Sequence, residues 1–80
     1  MKNEYYVNNK KVNYSIFSAY LKQATKHFVS KEYKNLELNS YEFMQQVNYL
    51  YFDFYNQMKN NGIRYTLDKI DFKVLTKRVD

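Results

Sequence analysis

Between Leu38 and Gly62 the chain carries signals for both the start and the stop of a helix, and that helix limits what the rest can become. Asn39 followed three residues later by Glu42 makes a capping box, and Leu38 with Phe43 supplies a hydrophobic staple across it. At the other end Asn60-Asn61-Gly62 puts the only glycine of the sequence where a left-handed ending is needed, with Ile63 reaching back to Met58. These signals predict a helix from Ser40 to Asn61. At about 100° per residue, Phe43, Val47, Leu50, Phe54 and Met58 share one stripe, flanked by Met44, Tyr51 and Tyr55. Phe52 lies nearly opposite that stripe, and Tyr41 and Tyr49 share its side with Gln45, Asn56 and Lys59. A helix apolar on two faces is either sandwiched between layers or presents a binding surface.

The segments around it are shorter and follow other periods. EYYVNNKKV reads as two strand-like runs about Asn8-Asn9, residues that tolerate the left-handed backbone of a tight hairpin. In that register Tyr5 faces Val12 and Tyr6 faces Lys11. Asn13 then caps a first helix, with Val12 and Phe17 in staple positions and Phe17, Leu21, Ala24 and Phe28 as its apolar stripe. Lys22 and Lys26 point away from that stripe, and the helix should end between Ser30 and Tyr33. From Ile63 onward the pattern returns to alternation. With Asp68-Lys69 at a turn, Leu67 faces Ile70, Tyr65 faces Phe72 and Ile63 faces Val74, a half-buried antiparallel hairpin. Asp-Lys without glycine is a poor primed-turn pair, which leaves a loop longer than two residues open. The expected fold is α+β: a single domain over residues 1–80 in the order ββααββ, with an antiparallel sheet and two helices packed on one face.

Eighty residues without cysteine must fold on packed side chains alone, and the 20% aromatic content is the compensation. No apolar stretch reaches the about 18–20 residues of a membrane span, and the N-terminus has no secretory pattern. The reading is therefore a cytoplasmic protein without a membrane partner. Asn, Lys and Tyr are abundant while Pro is absent, a bias toward AT-rich codons that points to a low-GC bacterium, its phages or its mobile elements.

Enzyme chemistry finds little to work with. His27 stands alone beside an apolar stripe, the acidic residues are scattered, and one glycine cannot make a phosphate loop. The expectation is no enzyme activity, no cofactor and no metal. A net charge of +5 with many aromatic rings raises nucleic-acid binding, but the two features are segregated along the chain. Residues 1–34 carry +5, residues 35–63 carry −2 and residues 64–80 carry +2, so the most aromatic helix is the least basic segment.

The leading expectation is a small protein-binding module that docks Tyr41, Tyr49, Phe52 and Asn56 on a host or self protein surface. A phage or mobile-element inhibitor of a host protein, of anti-CRISPR or other anti-defence type, fits that character. A homodimer pairing the second helix with its symmetry mate fits equally. The alternative is a nucleic-acid-binding accessory protein using Lys10, Lys11, Lys22, Lys26 and Tyr6. Lysine rather than arginine would make such binding weakly sequence-specific.

Overall fold

Asn8 and Asn9 both adopt positive φ (51° and 65°) and close a two-residue turn, so the first hairpin forms in the register that its sequence implies. The structure is a computed structural model that describes residues 2–77. Its elements run β1 (Lys2–Val7), β2 (Lys10–Val12), α1 (Tyr14–Glu32), α2 (Tyr41–Asn61), β3 (Tyr65–Leu67) and β4 (Ile70–Lys77). The fold is the expected α+β arrangement, with the strands in one antiparallel sheet of order β2-β1-β4-β3. The first and last strands therefore lie side by side at its centre, paired from Lys2↔Lys77 to Val7↔Phe72. Val7, Leu67, Phe72 and Val74 turn toward the helices and join Phe17, Leu21, Ala24, Tyr51, Phe54 and Met58 in one core. A smaller cluster of Val29, Phe43 and Val47 ties the two helices together.

Each helix boundary has a local cause. Asn13 accepts the Ile16 N–H at 2.9 Å through Oδ1, and Tyr33 closes α1 by donating its N–H to the Val29 carbonyl. The start of α2 differs from the expectation by one residue. Ser40, not Asn39, is the N-cap, with its hydroxyl accepting the Phe43 N–H at 3.2 Å. Asn39 instead takes the left-handed conformation at φ 63°, which reverses the chain into the helix. Glu42 remains in the first turn, where a carboxylate complements the helix dipole. Leu38 is exposed, so it makes no staple with the buried Phe43. At the far end Gly62 is left-handed as expected (φ 66°), and its N–H reaches the Met58 carbonyl at 3.2 Å.

The second hairpin keeps the expected turn and the Leu67–Ile70 and Tyr65–Phe72 register, and corrects one further pairing. Asp68 and Lys69 form a two-residue turn at φ 52° and 63° although neither is glycine. The burial of Leu67 and Phe72 fixes the strand register, and His27 Nδ1 grips Asp68 Oδ2 at 2.8 Å from α1. Tertiary contacts thus hold a turn that its own residues do not favour. Ile63 does not pair with Val74, because β3 begins only at Tyr65.

No heavy atom lies within 4 Å of where a Gly62 Cβ would sit, so only the backbone opposes a side chain there. Gly62→Ala should therefore destabilise the fold by about 1 kcal/mol through its left-handed φ. Chemical denaturation should show a lower midpoint with an unchanged m-value.

Candidate functional site

Burial along α2 divides its aromatic residues as the helical period requires. Phe43, Val47, Tyr51, Phe54 and Met58 are buried against the sheet and α1. On the opposite side Tyr41, Phe52 and Tyr49 are 74, 61 and 68% exposed. Glu42, Gln45, Asn48, Asn56 and Lys59 are exposed alongside them. Tyr41, Tyr49, Phe52 and Asn56 are thus brought together on one outward face. Gln45 Nε2 donates to the Tyr41 hydroxyl at 3.0 Å, and the Phe52 ring sits edge-on to Tyr51 with centroids 5.5 Å apart.

A cluster of tyrosines sets the rotation of α2 that turns Phe52 outward. The Tyr51 hydroxyl lies 2.7 Å from Ser18 Oγ and 3.3 Å from the Tyr14 hydroxyl, while Tyr55 meets Tyr5 at 3.3 Å. The rings of Tyr5 and Tyr14 pack with centroids 5.2 Å apart, which joins β1, α1 and α2 at one point. Burial pushes the Tyr51 and Tyr55 phenols above their ordinary range, and the bond to Tyr5 adds to this at Tyr55. These hydroxyls act as neutral hydrogen-bonding groups, and each phenol buries its ring while keeping a partner for its oxygen. The helical period alone places Tyr51 and Tyr55 at the margin of the stripe; their hydroxyl partners on other elements draw Tyr51 into the core.

The second candidate surface is the sheet face turned away from the helices. Strand alternation puts Lys2, Glu4 and Tyr6 of β1 on it, with Lys11 of β2 and Lys73, Leu75 and Lys77 of β4. Glu4 is at its centre, receiving Lys11 Nζ at 3.0 Å, Lys77 Nζ at 3.1 Å and the Tyr6 hydroxyl at 3.3 Å. The Lys11 ammonium, followed by that of Lys77, holds the Glu4 carboxyl down to about 2, and Glu4 raises Lys11 in return. Lys73 Nζ stands 4.7 Å above the Tyr6 ring, a cation–π contact.

This geometry separates the residues expected to bind nucleic acid. Tyr6 and Lys11 share the open sheet face. Lys10 sits at the rim of a groove lined by Val7, Val12, Ile16, Tyr20 and Ile70, and Lys22 and Lys26 belong to the helical layer. Lys73 and Lys77 were missed because they lie far from Lys11 in sequence. The alternation of Ile70, Phe72 and Val74 already turns Lys73 and Lys77 to the opposite side, but only the β1–β4 pairing brings them beside Lys11. Among the described residues no three His, Asp or Glu side chains converge to hold a metal ion, and no helix is long and apolar enough to cross a membrane. Compared with known proteins, the chain matches no family model, no curated protein and no solved structure.

The Glu4 contacts make stability depend on acid. Because its folded pKa is depressed, its contribution is full above the ordinary carboxyl value of 4.5 and is lost as pH falls toward about 2. Glu4→Gln should lower the melting temperature at neutral pH and remove that component of the acid sensitivity, as thermal denaturation between pH 6 and about 2 would show.

Proposed function

We propose that the chain is a small protein-binding module that acts by docking the outer face of α2 on a protein surface. The observation that carries this reading is Phe52, which stands 61% exposed on the same face as two still more exposed tyrosines, on a helix whose other face is fully engaged in the core. Covering a Phe or Tyr of that kind stabilises a complex by about 1.5–3 kcal/mol per side chain, before the cost of association. Tyr and Phe set among Asn48, Asn56 and Gln45 match the centre of a protein interface, where aromatic rings are enriched and charges are few. The flanking Glu42 and Asp53 disfavour a polyanion on this face, whereas Lys59 at its end can take part in an ion pair. A phage or mobile-element inhibitor of a host protein would act through this same face.

One observation favours a second reading. The β1–β2 and β1–β4 pairings set Lys11 and Lys73 on either side of Tyr6, with Lys2 and Lys77 further along the same face, a basic aromatic surface on which single-stranded nucleic acid could lie. Glu4 neutralises part of that charge, and Lys73 covers one side of the ring that would have to stack. Lys22 and Lys26 contribute little to it, since they lie in the other layer.

Photo-crosslinking separates these readings. A photoreactive side chain at Asn56 should give adducts with protein, and Phe52→Asp should abolish them while leaving the melting temperature unchanged. If Phe52→Asp unfolds the chain, or if the adducts persist, the α2 face is not the contact. Binding to a single-stranded oligonucleotide that falls steeply with salt, and is lost in Lys11→Glu and Lys73→Glu but kept in Phe52→Asp, would move the function to the sheet.

A further inference from the structure

The outward residues of α2 follow a stricter pattern than exposure alone requires. Glu42, Gln45, Tyr49, Phe52, Asn56 and Lys59 recur at alternating separations of three and four, the spacing of a coiled-coil seam. All six are exposed, so no described residue stands over them. The seam is also self-complementary when read backward. Counting outward from the Leu50–Tyr51 peptide, Tyr49 is matched with Phe52, Gln45 with Asn56 and Glu42 with Lys59.

We infer that the occupant of this face is a second copy of the same chain, packed antiparallel about a two-fold axis level with the Leu50–Tyr51 peptide. The inference rests on the reading of this face as a protein contact. In an antiparallel pair, residues equally far before and after the midpoint meet, and two-fold symmetry makes every contact occur twice. Tyr49 then packs on the partner's Phe52, with the mirrored layer directly beside it, and an aromatic block forms the centre. Gln45 meets the partner's Asn56, where two amides can each donate and accept. Glu42 meets the partner's Lys59, closing each end of the seam with opposite charges. The layers span about 25 Å of helix at 1.5 Å per residue.

Charge selects this arrangement over its neighbours. A parallel pair in register would set Glu42 against the partner's Glu42 and Lys59 against the partner's Lys59. Sliding the antiparallel pair by one heptad in one direction puts Glu42 against the partner's Phe52. Sliding it in the other direction puts Lys59 against the partner's Tyr49. Either shift also removes a layer at each end. Only the centred antiparallel register joins ring to ring, amide to amide and anion to cation.

The test is a charge swap followed by analytical ultracentrifugation over a range of concentrations, with thermal melts as the check on folding. The wild-type chain should show a monomer–dimer equilibrium. Glu42→Lys and Lys59→Glu should each weaken it at least about tenfold, because each acts in both symmetry-related end layers. The double variant Glu42→Lys/Lys59→Glu should recover wild-type dimerisation to within about threefold. A wild-type chain that stays monomeric at millimolar concentration, or a double variant as weak as either single one, overturns the self-pairing. The docking face is judged separately. A monomeric wild type whose Asn56 crosslinks to a different protein, and loses the adduct in Phe52→Asp, ends self-pairing but keeps the face. A dimer that survives Phe52→Asp forms through another surface and ends self-pairing at this face, while the docking face still stands or falls on the Asn56 adduct.

Discussion

The pairing of β1 with β4 is the constraint on which the other features depend. Each hairpin alone is a two-stranded ribbon, with one strand only three residues long in each case, and such ribbons are marginal in water. Joined along six residue pairs, they become one sheet whose inner face is wide enough to seat both helices. The pairing joins opposite ends of the chain, so its loop-closure cost falls on the whole fold and must be offset by burial of Val7, Phe72 and Val74 beneath α1 and α2. The same pairing creates the ionic cluster of the open face. Glu4 could not lie between Lys11 and Lys77 unless the strands carrying them flanked β1.

Local order was legible where local chemistry decides it. Asn8-Asn9, Asn13 and Gly62 each occupy the conformation that their side chains, or lack of one, favour, and the strand registers around both turns follow from alternation. Where two local solutions were nearly equal, the structure chose by context. Asn39 and Ser40 are both good caps, and Asn is the better of the two in the left-handed region, so Ser40 takes the cap and Asn39 the turn. At Asp68-Lys69 a contact from His27, forty-one residues earlier, supports a turn that propensity disfavours. The two-faced character of α2 was visible in its period, because Phe52 cannot share a stripe with Phe54 on any regular helix. The order of strands in the sheet was not visible, since hairpin periodicity does not say which edges meet. The open-face lysines stayed divided between two segments for that reason.

Aromatic residues in this chain perform three separate tasks. Phe17, Phe43 and Phe72 are fully buried and supply apolar area to a core that has no disulfide to help it. Tyr5, Tyr14, Tyr51 and Tyr55 join three elements through both rings and hydroxyls, a polar junction with its side-chain atoms satisfied. Tyr41, Tyr49 and Phe52 remain outside. The middle group makes this division stable. By fixing α2 about its own axis, it holds the outer rings in a defined row and lowers the entropy that a partner would otherwise have to remove.

The two edge strands, β2 and β3, are each three residues long. In a chain so rich in aromatic rings, a long bare edge would invite strand-to-strand addition by other copies and, from there, open-ended growth. Short edges offer few unpaired backbone groups to an incoming strand. Under the proposed pairing, attraction between copies would fall to a helical surface, whose two-fold contacts are complete once two chains have met. A chain paired in that way could carry adhesive side chains outward and still stop at a closed particle rather than a fibre.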